Sequence, residues 1–138
     1  MPSFQPLNTR LITPEKVLFE GEVSSLVAPA VDGMLGVLGG HAPLMAAMGS
    51  GVLKLTVGSG QSYYAVSGGF LQVKDNSVIV LADKAVDGAG VNLSEEQSKL
   101  TRLEKSYGNA VERDEKRRLG AELEESRAVV SAAEKSMQ

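Results

Sequence analysis

The residues most able to do chemistry are few and scattered. Asp32-Gly33-Met34-Leu35-Gly36-Val37-Leu38-Gly39-Gly40-His41-Ala42-Pro43-Leu44 has the glycine density of a phosphate-cradling loop, whose backbone N–H groups would face an anion. No Gly-Lys-Ser/Thr follows it, and no helix of useful length begins there, so tight turns and bulges between short strands account for the glycines better. An imidazole's ordinary pKa lies near neutrality, so His41 is a candidate general base, but the neighbouring sequence supplies neither a nucleophile nor an orienting carboxylate. A histidine bonding nearby turns or lining an interface is the plainer reading. Asp75, Asp83 and Asp87 lack the dense oxygen spacing of a calcium loop and read as turn and strand-end carboxylates. The chain has no cysteine and one histidine, which excludes a disulfide scaffold, a thiolate site, a cysteine nucleophile and a multi-histidine metal centre. No cofactor is implied.

Two further patterns concern contact rather than catalysis. Gly68-Gly69, between Ser67 and Phe70, interrupts what reads as one strand, and paired glycines there mark a bulge or the close approach of another backbone. Arg113, Lys116 and Arg117 fall at i, i+3 and i+4 of a helical stretch, with Arg118 beside them. Glu112 can pair with Lys116, Asp114 with Arg118, and Arg118 with Glu122, giving a solvated ionic face. The same cluster is the one local positive patch in an acidic chain, and the best candidate to meet an acidic partner.

The elements that carry these residues divide the chain. Of its 138 residues, the first 90 hold thirteen of fifteen glycines, all five prolines and 12 charged residues. The last 48 hold 19 charged residues. Glycine, proline and β-branched residues punctuate sheets, whereas Glu, Lys, Arg, Ala and Leu fill exposed helices. Two units follow: residues 1–90 and residues 91–138.

In the first unit Leu53, Leu55 and Val57 alternate with Lys54 and Thr56; Gly58-Ser59-Gly60 then turns the chain into Tyr63–Ser67. Leu71 and Val73 alternate with Gln72 and Lys74, Asp75-Asn76 turns, and Val78–Ala82 returns as a nearly continuous apolar run. With short strands near Leu7–Ile12, Val17–Phe19 and Val23–Val27, these hairpins imply a small antiparallel sandwich or barrel. In the second unit Ser94 caps a helix with Gln97 completing a capping box, and Glu95 and Glu96 favour its positive end. Leu100, Leu103 and Tyr107 follow at helical spacing, and Gly108-Asn109 stops the helix. A second helix, about Glu112–Lys135, carries a thin apolar stripe of Leu119, Leu123, Val130, Ala133 and Met137, so its packing should be weak and reversible.

Net charge -3, no tryptophan and only six Phe and Tyr together argue against nucleic acid. The opening Met-Pro-Ser-Phe-Gln-Pro-Leu has no leader character, and Val78–Ala82 is far short of the ~20 residues a membrane span needs. The expectation is a soluble chain that meets a membrane only through another protein.

The glycine run resembles the signature Glu-Gly-Glu-Leu-Gly-Ile-Leu-Pro-Gly-His-Ala-Pro-Leu of the epsilon subunits of F-type ATP synthases. Thr13-Pro14 and Phe19-Glu20-Gly21 precede it in the family's order. Gly49–Leu53, Val66–Val73 and Val78–Ala85 follow. The match covers about residues 7–90, and residues 91–138 by architecture and length.

The resemblance implies a flattened β-sandwich of about ten antiparallel strands followed by a two-helix hairpin. It implies a non-catalytic rotor subunit that binds the gamma subunit and the polar loops of the membrane c-ring, linking proton flow to ATP synthesis. Its helical arm would extend along gamma, reach the alpha and beta subunits and restrain ATP hydrolysis. On that basis Asp32, Gly33, Met34, Leu35, Gly36 and His41 form the c-ring contact loop. Gly68, Gly69 and Phe70 contact gamma, and Arg113, Lys116, Arg117 and Arg118 form the inhibitory cluster of the arm. Such a subunit sits peripherally on the cytoplasmic face of a bacterial inner membrane, or on the stromal face of a thylakoid.

Two departures stand out. Met34 replaces the family's second acidic residue, and Gly39 replaces its proline. Some members bind ATP near the start of the arm through an Ile/Leu-Asp-x-x-Arg-Ala pattern; Leu93-Ser94-Glu95-Glu96-Gln97-Ser98 lacks its Asp and Arg, so ATP binding does not carry over. The mitochondrial counterpart, called delta, is the alternative within the family, and the lack of a transit peptide argues against it. A small β-sandwich enzyme using His41, or a ligand-binding module, is the alternative of another class.

Overall fold

A computed structural model describes residues 5–138. Eight strands come first: β1 Leu7–Ile12, β2 Val17–Val23, β3 Ser25–Ala30, β4 Gly33–Leu38, β5 Leu44–Ala47, β6 Ser50–Val57, β7 Gly60–Lys74 and β8 Ser77–Asp87. A single 3-10 turn, Gly88–Gly90, then leads to helix α1, Leu93–Asn109, and helix α2, Arg113–Ser136. The strands run in the order β2-β1-β8-β7-β6-β3-β4, with β5 added beside β7. Pairing is antiparallel except between β1 and β8, which are parallel.

Alternation along each strand builds the core. Leu7, Leu11, Leu26, Leu53, Leu55, Leu71 and Val80 are fully buried in one cluster to which all eight strands contribute. Val78–Ala82, a nearly continuous apolar run in the sequence, alternates in the fold: Val78, Val80 and Ala82 point inward while Leu81 is 50% exposed. Val57 shares the face of Leu53 and Leu55 but is exposed at the strand end. Both expected hairpins form. Gly58-Ser59 links β6 to β7, and Asp75 and Asn76 take φ of 51° and 58°, the mirror-image turn that matches strand twist.

The strand count is eight rather than ten because β7 and β8 run unbroken through both layers. β7 can do so because of its glycines. Tyr64 and Val66 face the core before the pair, whereas Leu71 and Val73 do so after it, so the inward parity flips from even to odd. Gly68 and Gly69 make that flip at φ of 69° and 102°, a region L side chains avoid. The first half of β7 then pairs with β6 and the second with β5.

The arm starts two residues earlier than its sequence suggested. Asn92, not Ser94, is the cap: its Oδ1 accepts from the Glu95 backbone N–H at 3.1 Å, with Glu95 and Glu96 in the first turn as expected. α1 buries no residue fully and lies on α2. On α2, Leu119, Leu123, Val130 and Ala133 are buried, but Met137 falls past the last turn and is 74% exposed. Ala128 and Ala132 complete the buried face, packing on Ala65 of β7 with Val52, Tyr63 and Val129 around them.

Candidate functional site

His41 sits in the loop between β4 and β5. Its backbone N–H donates to Leu38 O at 3.1 Å, and its Nδ1 lies 2.7 Å from Ala42 O, a local turn contact. Among the described residues no nucleophile or carboxylate is hydrogen-bonded to it. Among the described residues no group of three or more His, Asp or Glu is placed to hold a metal. The residues singled out by sequence instead fall on three separate surfaces.

The first is the β3–β4 hairpin. Val31-Asp32 forms its tip and Gly33 leaves it at φ 127°. Along β4, Val37 is buried and Leu35 packs on the core, while Met34 and Leu38 are more than 60% exposed. Asp32, Gly33 and Gly36 are exposed with them. The tip therefore presents one carboxylate among apolar side chains. The glycine at position 39 also has a reason: a Cβ there would run into the Gln5 backbone, so a proline could not fit this path. Gly40 N–H donates to Asn76 Oδ1 at 2.7 Å and ties the loop to the β7–β8 turn.

The second surface lies on the outer side of β5, β7, β8, β1 and β2. Ala47 faces Phe70, Phe70 faces Leu81, Leu81 faces Ile12 and Ile12 faces Val17. Phe70, Leu81 and Val17 are each about half exposed, at 55%, 50% and 48%. Beside this row runs Met45, Gln72, Ile79, Arg10 and Glu20, with an Arg10–Glu20 ion pair at 2.8 Å. A contiguous apolar row on an uncovered sheet face is the signature of an interface. The close approach expected at Gly68 and Gly69 is made by this chain's own β8, through Asp83 and the Leu81 carbonyl; both glycines are half-buried, and Phe70 is the most exposed of the three. Ile12, Val17, Ala47 and Leu81 were missed in the sequence because only the register puts them in one row.

The third surface is the arm. Arg113, Lys116, Arg117 and Arg118 are all exposed. None of the expected pairs with Glu112, Asp114 or Glu122 forms; the ion pairs within 4.0 Å among the described residues are Arg10–Glu20, Lys84–Glu125 and Arg127–Glu104. Exposed pairs gain too little to hold two long side chains in place. Lys116 Nζ lies instead 4.9 Å from the centre of the Tyr107 ring, a cation–π contact that ties α2 to α1.

Between arm and sandwich lies a cavity of about 400 Å³. Four carboxylates, Glu95, Glu96, Glu122 and Glu125, outnumber Lys84 and Lys99 around it, so its charge opposes a polyphosphate. In the sandwich core Tyr64 is buried, and that burial, with the nearby Asp87 carboxylate, pushes its phenol above the ordinary 10.0.

Residues 6–88 match the family model for the ATP synthase delta/epsilon chain, beta-sandwich domain. The chain belongs to the ATP synthase delta/epsilon family. An ATP synthase epsilon chain of Leptospira borgpetersenii is 42% identical over 99 residues, 72% of this chain and 78% of its own. One from a Synechococcus strain is 33% identical over 128 residues, 93% of each chain, so that similarity runs on through the arm. The chloroplastic epsilon chain of Emiliania huxleyi is 32% identical over 126 residues, 91% of this chain and 97% of its own. A chain in the mitochondrial ATP synthase of Euglena gracilis, solved as OSCP, F1 and c-ring, superposes with a TM-score of 0.79 at 18% identity. It covers 96% of this chain and 82% of its own, so the fold, sandwich and arm together, is shared with that chain. No helix of this family member, among the described residues, is long and apolar enough to cross a membrane.

Proposed function

We propose that this protein is a non-catalytic rotor subunit of an F-type ATP synthase, in which residues 1–90 hold the rotor contacts and residues 91–138 form a regulatory arm. The exposed row Ala47–Phe70–Leu81–Ile12–Val17 carries the reading: it suits a stable apolar partner, and the gamma subunit is the partner the family offers. The β3–β4 tip, with Asp32, Gly33, Met34, Leu35 and Gly36, and the His41 loop beside it, meets the c-ring. Met34, exposed where the family's pattern has an acidic residue, makes that contact more apolar than the family's. The arm reaches the alpha and beta subunits, where Arg113, Lys116, Arg117 and Arg118 face acidic side chains and restrain ATP hydrolysis. Their lack of internal ion pairs supports that use. The subunit works peripherally, at the cytoplasmic face of a bacterial membrane or the stromal face of a thylakoid, without cofactor, nucleic acid or insertion of its own.

Phe70→Glu together with Leu81→Glu tests the row. Both side chains already face solvent, so the variant should fold, yet co-purification of gamma, alpha and beta from a membrane extract should be lost. Undiminished co-purification overturns the assignment of that face. Deleting residues 91–138 should leave assembly intact and raise ATP hydrolysis by the complex.

A further inference from the structure

The arm packs closely on the turn after β8 at a residue that neither its charge nor its apolar stripe would suggest. Gly88 opens the 3-10 turn after β8 and is buried beneath α2. A Cβ built on it would lie 2.5 Å from Ala132 O, 2.7 Å from Ala132 C and 2.6 Å from Ser136 Oγ. Two of those atoms are helix backbone and cannot rotate away. The Ala132 carbonyl also accepts from Ser136 Oγ at 2.7 Å, so the serine is held against the same spot.

The turn cannot retreat either. Asp87 accepts from the Ala89 N–H at 3.0 Å, Val91 N–H donates to Gly88 O, and the turn continues directly from β8, fixed in the sheet. Gly88 does not lie at positive φ, unlike Gly68 and Gly69. Its own conformation therefore tolerates a side chain, and only the helix above excludes one.

We infer that Gly88 is the docking determinant of the arm: the missing side chain at this position lets α2 reach the sandwich, and any Cβ there releases the helix while leaving the sheet folded. Ala65, Ala128 and Ala132 extend the same close seat along α2. The seat works by fit, since its side chains are too small to grip a helix displaced by even the width of a methyl group. Lys84–Glu125, at 3.3 Å and largely exposed, adds a weak pin beside it. The consequence for ATP hydrolysis rests on the regulatory reading of the arm; docking itself does not.

The test uses the isolated full-length chain and residue-resolved amide hydrogen exchange. Gly90→Ala is the matched control, because nothing lies within 4 Å of a Cβ at that position of the same turn. Gly88→Ala should speed exchange of α2 amides between Leu123 and Ala133 at least tenfold, leave those of Leu53, Leu55 and Leu71 protected, and leave Gly90→Ala within twofold of the parent. α2 exchange as slow as the parent's in Gly88→Ala overturns the proposal. So does loss of protection in the strands as well, which would make Gly88 a residue of the sandwich's own folding. A docking change without any change in hydrolysis by the complex would instead count against the regulatory role alone.

Discussion

The sandwich and the arm bury apolar surface by different means. The sandwich closes over six fully buried leucines drawn from four strands, each held by register on both sides. α2 buries two leucines and then Ser126, Ala128, Val130, Ala132 and Ala133, and α1 buries nothing fully. At roughly 25 cal/mol per Å² of apolar area, a leucine face stabilises far more than an alanine face of equal length. Close fit at Gly88 and Ala65 compensates in dispersion contacts, which vanish on a small displacement. One region is fixed by bulk, the other by fit, and only the second suits a reversible element.

That contrast can be broken at several points. Gly69→Val has the largest expected effect: positive φ and collision with the Leu81 carbonyl together should cost ~5 kcal/mol, comparable to the stability of a small domain. The cooperative urea transition should disappear; a native transition would show that the β7 parity flip needs no glycine. Leu11→Ala should lower unfolding free energy by about 3 kcal/mol, whereas Leu119→Ala should leave the sandwich's urea midpoint nearly unchanged and loosen only α2 exchange. Equal shifts from both would mean that sandwich and arm unfold as one unit.

Tyr64 gives a pH test. A phenol whose folded pKa is raised stabilises fully below its unfolded pKa of 10.0 and loses that contribution as pH rises through the folded value. Stability should therefore fall above pH 10.0, and Tyr64→Phe should flatten that part of the decline. An unchanged decline would place its cause elsewhere. The smallest effect is that of Lys84→Ala, which should raise α2 exchange by no more than about fivefold and do nothing at high salt. A larger, salt-sensitive effect would make the arm's seat electrostatic.

Local chemistry made much of this molecule legible in its sequence. Asp75-Asn76 and Gly58-Ser59 read as hairpin turns because few other residues adopt those dihedrals, and they form. The break in composition near residue 90 marked where strands give way to helices, since glycine-rich and Glu/Lys/Arg/Ala-rich segments favour different periods. The helix cap slipped from Ser94 to Asn92 because both side chains can accept a first-turn N–H, and the path out of Gly88–Gly90 chose between them. Tertiary structure alone decided which apolar residues remain outside. Val17, Leu81 and Phe70 look like core until pairing across five strands sets them in one outward row, and the sequence carries no trace of register between strands so far apart. Gly88 is the sharpest case. Nothing in its own dihedrals requires glycine; the requirement comes from a helix more than forty residues later, whose backbone occupies the space a side chain would need.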